Sequence, residues 1–426
     1  MRRLGREATT AAGDPADIEA RAWPALGRRL RADTRTPIAV AFSGGGDSLA
    51  LLLSAHTWAL ANGRRLIALH VDHGLQPEGP AWAARCAETA ARLGVAFQAL
   101  AWRGEKPARG LPAAARLARH RLLAEAAREA GARVILLGHT ADDLSETLAM
   151  RAEGSTTPLA REWGPSPVWP EGRDVFLLRP LLAVGRAEIR GWLAARGETW
   201  IEDPANLDLR FARARARAAG AHAEAVPPEP PPEGAAALAR AVVLETGDVM
   251  RISRRALRET SAATAFLSAA CLCAGGGERP PRRERVEALA ARLLGEAALT
   301  ATLAGARIEA AGESAWFMRE AGEAGRGGLP ETPLPPGDTV VWDGRYEMLA
   351  RCSAQVRPLA GAAKRLNTEQ QRAMLAVRAG ARSALPLVVR DHEAACPVLA
   401  DDGTQARFLG LERLLAACGA VEREPS

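Results

Sequence analysis

Short apolar runs rich in β-branched residues alternate with longer stretches of helical periodicity along the first half of the chain. The apolar runs predict strands, which lie at 36–42, 65–71, 97–102 and 132–138. The periodic stretches predict helices, which lie at 15–34, 47–62, 79–93, 112–130 and 141–152. A further strand and helix follow a loop rich in Pro and Gly at 154–174. This alternation is typical of an α/β fold, and we predict a doubly wound, mostly parallel five-stranded sheet.

The second half of the chain follows a different pattern. The run "AVPPEPPPEGA" at 225–235 is incompatible with regular structure and predicts a stiff linker. Beyond it, helical periodicity predominates with some strand, and the last part shows short strands, turns and a helix at 409–418. We therefore predict five segments, namely a leader helix in 1–35, an α/β domain at 36–217, a Pro-rich linker at 218–235, a helical domain at 236–330 and a small α+β domain at 331–426.

The composition is that of a globular protein, with 48% hydrophobic and 25% charged residues among 426. No apolar run reaches the ~20 residues that cross a membrane, and residues 1–20 lack the apolar core of a secretory signal. Six cysteines are scattered without a C-x-x-C pair, which favours reduced thiols over a zinc or redox site. We expect a cytoplasmic protein that makes no contact with membranes.

The net charge of +6 suits a polyanionic partner such as nucleic acid. Arg carries almost all of the positive charge, since Lys106 and Lys364 are the only lysines, and such a bias is also typical of a GC-rich coding sequence. Position is more informative than abundance. Arg210, Arg213 and Arg217 share one face of a predicted helix, an arrangement that suits an RNA backbone or, alternatively, an ordinary Ala/Arg surface helix.

The segment "SGGGDS" at 43–48 joins the first predicted strand to a helix. Consecutive backbone N–H groups in a glycine turn, followed by a helix N-terminus, form a binding site for phosphate. The lysine of a Walker A loop is absent, and the G-x-G-x-x-G pattern of dinucleotide-binding folds is not met. Two more polar segments, "HVDHGL" at 70–75 and "GHTADDLSET" at 138–147, follow predicted strands and should reach the same sheet edge.

Acidic residues open the helix at 141–152. Asp143 and Glu146 are three residues apart and therefore share a face, where they could bind an ammonium group or Mg²⁺. Capping of the helix N-terminus is the alternative role, and we expect Asp142 to be structural. His70, His73 and His139 lie at strand ends without a third ligand at metal spacing, which argues against zinc.

"SGGGDS" resembles the S-G-G-x-D-S signature of the PP-loop ATP pyrophosphatases. Members of this superfamily cleave ATP to AMP and pyrophosphate and adenylate an oxygen that a nucleophile then displaces. "HVDHGL" and "GHTADDLSETLAM" are similar to motifs shared by tRNA(Ile)-lysidine synthetases and tRNA cytidine thiolases. "LLRPLL…R…EI" (177–189), "IEDPANLD" (201–208) and "FARARAR" (211–217) resemble the lysidine synthetases.

The resemblance implies that ATP adenylates the C2 oxygen of the wobble cytidine of a tRNA(Ile) with anticodon CAU, with release of pyrophosphate. The ε-amine of free L-lysine then attacks C2 and AMP leaves. It assigns ATP to the loop 43–48, to which we add Asp72 and His73, and Mg²⁺ to Asp47. Asp143 and Glu146 would bind the lysine. "AARLARHR" (114–121) is similar to an arginine-containing stretch of the family, which makes Arg119 the expected cation facing the phosphates, with Arg116 as a weaker candidate.

The likeness to lysidine synthetases is close over 36–217 and looser beyond 236. The chain departs from the family at Ala214, where Asn is usual, at Leu144, where Gln is commoner, and in the loop after Glu153. A tRNA thiolase or another AMP-forming ligase is the alternative enzyme, although the thiolases use cysteine pairs. An RNA-binding protein without catalysis is a third hypothesis. A homodimer is compatible with the resemblance, and the sequence does not decide the oligomeric state.

Overall fold

The computed structural model describes residues 17–155, 157–204, 215–217, 234–323, 328–391 and 393–426. These residues form two compact units. The first unit comprises the described parts of 1–166, 174–229 and 423–426, and the second comprises those of 167–173 and 230–422. The predicted separation of a helical domain from a smaller C-terminal domain stays a prediction. Within the described ranges, no helix is both long enough and apolar enough to cross a membrane.

The first unit is built on a six-stranded sheet whose strands have the order β3-β2-β1-β4-β6-β5. The strands are β1 (Ile38–Ala41), β2 (Leu66–Asp72), β3 (Ala96–Ala101), β4 (Val134–Leu136), β5 (Trp163–Pro165) and β6 (Phe176–Leu178). All neighbouring strands run parallel except β5, which pairs with β6 in the antiparallel direction. The doubly wound α/β prediction is therefore confirmed, with one strand more than expected.

The additional strand, β5, lies inside the segment predicted to be a loop at 154–174. It has three residues and includes Gly164 and Pro165, so no alternating pattern marks it in the sequence. Its edge position explains why the proline is tolerated, since an edge strand needs no donor on its outer side. Trp163 stacks on Phe176 of β6 with ring centroids 4.9 Å apart, which fixes the pairing.

Helices cover both faces of this sheet. They are α1 (Ile18–Arg29), α2 (Gly46–Ala61), α3 (Gly79–Arg92), α4 (Leu111–Glu129), α5 (Ala141–Ala152) and α6 (Arg186–Ala195). Ile38 and Val40 of β1 face a core that also contains buried residues of α1, α2 and α6. Ala39 faces the opposite core, which contains buried residues of α4. The centre of the sheet is thus buried on both sides, as its continuous apolar strands predict.

The second unit contains antiparallel sheets and several helices. Its five-stranded sheet has the order β7-β8-β11-β10-β9, formed by Val243–Glu245, Val249–Ser253, Ser314–Arg319, Ala306–Ala311 and Leu299–Leu303. Helices α7 to α10 (Ala235–Arg240, Arg254–Arg258, Ala263–Gly275, Arg283–Leu294) and α13 (Gly410–Ala417) contribute to the core on this sheet. The helices between them are α11 (Thr368–Leu375) and α12 (Ala379–Arg382).

Two smaller sheets complete the second unit. One has the order β12-β15-β16-β17 and consists of Thr332–Leu334, Ala354–Pro358, Pro386–Arg390 and Glu393–Ala395. The other has the order β13-β14-β18 and consists of Thr339–Trp342, Tyr346–Leu349 and Gln405–Phe408. The predicted helix at 409–418 is confirmed as α13.

A buried ion pair ties residues 423–426 into the first unit. Arg64 donates to Glu424 Oε1 at 2.8 Å, and both side chains are 0% exposed. Glu424 also accepts hydrogen bonds from the backbone N–H of Arg31 at 2.9 Å and from the hydroxyl of Thr36 at 3.0 Å. Its own N–H donates to the carbonyl of Arg29 at 2.7 Å. Both oxygens of this buried carboxylate are therefore used within the first unit.

We expect Glu424→Ala to lower the free energy of unfolding of the first unit by ~3–5 kcal/mol, because the substitution leaves the Arg64 guanidinium buried without its counter-charge. Urea unfolding followed by hydrogen exchange of the β1 amides measures the effect. Glu422→Ala is the matched control, since Glu422 pairs with Arg240 at the surface, where such pairs contribute ~0–1 kcal/mol. Equal effects of the two substitutions would contradict the prediction.

Candidate active site

The glycine loop, residues 43–48, leaves β1 beside the point where the strand order reverses. Parallel sheets bind ligands there, beyond the carboxyl ends of their strands. Ser43 Oγ lies 3.1 Å from Ser48 Oγ, and the Ser48 hydroxyl donates to the Gly45 carbonyl at 2.9 Å. Helix α2 begins after Gly45, which has no side chain to cap it. The first N–H groups of α2 are thus available to an anion.

Two glycines around this loop are also required by packing. Gly44 has a φ of +85°, and a Cβ there would lie 2.5 Å from Ile201 Cδ1 and 2.8 Å from Cys86 Sγ. The backbone N–H of Ile201 donates to the Gly44 carbonyl at 2.9 Å. A Cβ on Gly138, after β4, would lie 3.0 Å from the Asp47 carbonyl oxygen. The loop is therefore held in shape by close contacts that a larger residue would prevent.

The acidic residues of α5 have separate structural partners. Asp143 forms a capping box with Thr140, accepting from its N–H at 2.9 Å and from its hydroxyl at 3.2 Å through Oδ2. Asp142 accepts from the backbone N–H of Arg186 at 2.7 Å, as expected for a structural residue. Glu146 is 0% exposed. Burial of an acidic residue to this extent requires cationic partners.

Arg186 provides that partner and brings three carboxylates together. Its Nε lies 3.3 Å from Asp47 Oδ2, its Nη1 donates to Glu146 Oε1 at 3.0 Å, and its Nη2 lies 3.9 Å from Asp143 Oδ1. Arg217 Nε donates to the same Glu146 oxygen at 2.8 Å. The other oxygen, Glu146 Oε2, is buried and has no hydrogen-bond partner among the described residues. Two arginines and three carboxylates therefore form one site with an open acceptor.

Burial and neighbouring charges shift the pKa values of two side chains in this cluster, Asp47 and Arg186. Burial raises the pKa of Asp47, and the charge of Arg186 opposes that shift. Burial also disfavours the charged guanidinium of Arg186, but the carboxylates of Asp47, Glu146 and Asp143 outweigh it and raise the pKa of Arg186. A second cation next to Asp47 would favour its ionised form.

A cluster of basic side chains lies on the neighbouring elements. Arg179, which follows β6, donates to His139 Nδ1 at 3.0 Å. Burial lowers the pKa of Arg179 to about 10, with further lowering from the charges of Arg116 and Arg119. Burial, together with the charge of Arg119, lowers the pKa of His120 to about 2, so this histidine is neutral. The cluster has a concentrated positive charge that an anion would stabilise.

Asp72 and His73, which we predict to bind ATP, lie at the end of β2 and contact neighbouring residues of the first unit. Asp72 Oδ1 accepts from the backbone N–H of Gly74 at 2.8 Å and so shapes the turn. His73 packs edge-on against Trp102 with ring centroids 6.3 Å apart, and burial, followed by the charge of Arg119, lowers its pKa. His70 Nδ1 is 2.9 Å from the Phe42 carbonyl and is structural.

The structure adds Arg186 and Arg179 to the residues selected from the sequence. Both belong to the segment "LLRPLL…R…EI" that resembles the lysidine synthetases, so the pattern is visible in the sequence although it gives neither arginine a role. Of the predicted RNA-facing arginines, Arg217 pairs with Glu146, whereas Arg210 and Arg213 lie outside the described residues.

The family model described as "PP-loop domain" matches residues 21–221. The tRNA(Ile)-lysidine synthase of Caulobacter vibrioides is 48% identical over 94% of this chain and 97% of its own length. Those of Hyphomonas neptunium and Rhizobium meliloti are each 36% identical, over 71% and 78% of this chain and 84% and 77% of their own lengths.

Three features define an ATP-binding domain of the PP-loop class. They are a glycine loop at the switch point of a parallel sheet, an uncapped helix start, and a cluster of three partly or fully buried carboxylates. The family model that matches 21–221 agrees with this class. The similarity to relatives over nearly their full length extends the assignment to the second unit, and the chain belongs to the tRNA(Ile)-lysidine synthase family.

Proposed function

We propose that the protein uses ATP to join free L-lysine to C2 of the wobble cytidine of a tRNA(Ile) with anticodon CAU. The relatives are tRNA(Ile)-lysidine synthases by name. The observation that carries the proposal is the group of Asp47, Asp143 and Glu146 beside the uncapped start of α2. An enzyme that adenylates a base and then attacks it with an amine needs an anion site and a cation site side by side.

In the first step, the C2 oxygen of cytidine attacks the α-phosphorus of ATP and pyrophosphate leaves. The N–H groups of loop 43–48 and the first turn of α2 bind the phosphates, with Ser43 and Ser48 as hydroxyl donors. Arg119 and the neighbouring Arg179 stabilise the negative charge that develops on the phosphate oxygens. Asp72 and His73 border the nucleotide. Adenylation converts a poor leaving group into AMP.

In the second step, the ε-amine of lysine attacks C2 and AMP leaves with the original oxygen. Asp143 and Glu146 bind the ammonium form of lysine, and a carboxylate of this pair accepts the proton that the amine must lose before it attacks. Glu146 Oε2 is the suitable acceptor because it has no hydrogen-bond partner among the described residues, whereas Arg217 donates to the opposite oxygen. A new C–N bond replaces the C–O bond.

Asp47 is the residue suited to hold Mg²⁺. Its carboxylate lies in the first turn of α2, next to the phosphate loop, and hard cations prefer such oxygen ligands. Among the described residues, no three side chains of His, Cys, Asp or Glu are grouped to hold a metal ion alone. Mg²⁺ bound through one carboxylate and the phosphates of ATP fits this arrangement and supplies charge neutralisation on the phosphates.

The tRNA is expected to contact Arg210, Arg213 and Arg217 and arginines of the second unit, including Arg251, Arg255 and Arg258. A cytoplasmic location follows from the substrates of the proposed reaction. A homodimer stays a prediction from the family resemblance.

The proposal is tested by incubating the protein with ATP, Mg²⁺, labelled lysine and an unmodified tRNA(Ile) carrying the CAU anticodon. We expect nucleotide 34 to gain the mass of one lysine less one water, by mass spectrometry of nuclease fragments, and AMP to be released in equal amount. The same tRNA with uridine at the wobble position is the control. In a parallel reaction in which a sulfide donor replaces lysine, addition of sulfur to nucleotide 34 would favour the thiolase alternative. An unmodified tRNA in both reactions would contradict both enzymes.

A further inference from the structure

Arg186 occupies an unusual position for a residue to which the sequence gives no role. It is the first residue of α6. Its main chain is fixed because its own N–H donates to Asp142 and the N–H of the preceding Gly185 donates to Glu188 Oε2 at 2.8 Å. Its side chain is only 14% exposed and extends from there into the group of Asp47, Asp143 and Glu146. One guanidinium thus contacts the residue proposed for Mg²⁺ and both residues proposed for lysine.

These contacts compete with the substrates. Arg186 approaches Asp47 through Oδ2, and a metal-bound ATP would bring a second cation to the same carboxylate. Its Nη1 and Nη2 approach Glu146 and Asp143, where the lysine ammonium would lie. Like charges in one partly buried site repel strongly. Arg186 therefore has to leave Asp47 when ATP binds, and the nearest strong acceptors are then the phosphates on loop 43–48.

The balance of charge is consistent with such an exchange. Three carboxylates face Arg186 and Arg217, so the group has one negative charge in excess. When Arg186 moves to the phosphates, this excess rises from one negative charge to two. The metal-bound nucleotide at Asp47 and one ammonium at Glu146 can then replace the guanidinium. The buried Glu146 Oε2, which has no partner among the described residues, becomes part of the ammonium site.

We propose that Arg186 is a positioning residue that occupies the lysine site until ATP binds and then moves to the phosphates. This inference rests on the proposed function. ATP binding would uncover Asp143 and Glu146, so lysine binds well only after the nucleotide that activates the cytidine is in place. The enzyme would thereby bind its substrates in the order that the two chemical steps require.

The test measures binding of labelled lysine by equilibrium dialysis, with and without Mg²⁺ and a non-hydrolysable ATP analogue. For the unmodified protein we expect lysine affinity to rise about tenfold with the analogue, since linkage between two sites is typically of this size. For Arg186→Gln we expect tight lysine binding in both conditions, with the nucleotide effect lost. Arg186→Lys keeps the charge and should retain part of the nucleotide effect.

Arg92→Gln is the matched control, because Arg92 pairs with Glu198 at the surface of the first unit. Urea unfolding of each variant verifies that it is folded. Lysine binding that is independent of nucleotide in the unmodified protein, or an undiminished nucleotide effect in Arg186→Gln, overturns the proposal. If the protein transfers no lysine to tRNA, the proposed function is wrong. If it transfers lysine but binds lysine with the same affinity with and without ATP, only this inference is wrong.

Discussion

Glu146→Gln is expected to reduce lysine transfer to the tRNA at least ~100-fold, the usual range for loss of a proton acceptor in catalysis. Gln has the same shape but no charge, so it neither holds the ammonium nor accepts its proton. Arg217 contacts the present carboxylate, and it would repel a cationic substrate once that side chain is neutral. Adenylation of the tRNA should suffer much less, because the phosphate loop is unchanged.

Single-turnover assays separate the two steps. ATP labelled at the α-phosphate reports adenylated tRNA, and labelled lysine reports the final product. We expect adenylated tRNA to accumulate with Glu146→Gln and to turn over with the unmodified protein. Glu88→Gln, on the exposed surface of α3, is the control that removes an equal charge elsewhere. Equal slowing of both steps would show that Glu146 is not specific for the lysine step.

Gly44→Ala is expected to weaken ATP binding at least ~10-fold and to destabilise the first unit by ~1–3 kcal/mol. A methyl group at this position would overlap Ile201 and Cys86, and the left-handed φ of +85° disfavours any side chain. The loop has to move to relieve the steric overlap and the backbone strain, and the N–H groups that bind phosphate move with it.

Calorimetric titration with ATP and urea unfolding measure the two consequences of Gly44→Ala. Gly191→Ala is the control, since this glycine lies within α6 and a Cβ added there would meet no atom within 4 Å beyond its own helix backbone and chain neighbours. There, alanine should stabilise the helix by ~1 kcal/mol and leave ATP binding unchanged. Normal ATP affinity in Gly44→Ala would refute the role of this glycine in shaping the loop.

The sheet and its order of helices were predictable because each element has a clear local pattern. The helix at 141–152 was predicted with the bounds that the structure gives, since Thr140 and Asp143 form a capping box that the sequence contains. By contrast, β5 has only three residues and includes a proline, and its existence depends on pairing with β6. Edge strands of this kind depend on tertiary contacts more than on local preference.

The site was predictable only in part, for a similar reason. Asp47, Asp143 and Glu146 follow recognisable motifs at strand ends. The role of Arg186 depends on its distance from carboxylates 40 and 139 positions away in sequence, which the fold alone brings together. The role of Arg179 could not be predicted for the same reason, because no local sequence pattern indicates its burial beside His139. An abundance of arginine along the chain makes such residues hard to distinguish by composition.

The burial of Glu424 has a consequence for how the protein is made. The partner of Arg64 is synthesised 360 positions later than Arg64 itself, after the whole second unit. At ~5–20 residues per second on the ribosome, the interval is roughly 18–72 s. Throughout that time the nascent first unit has an interior guanidinium with no carboxylate. The ion pair that completes the packing around Arg64 can therefore form only after residue 424 has been synthesised, so this part of the ATP-binding unit reaches its final structure after the second unit has been synthesised.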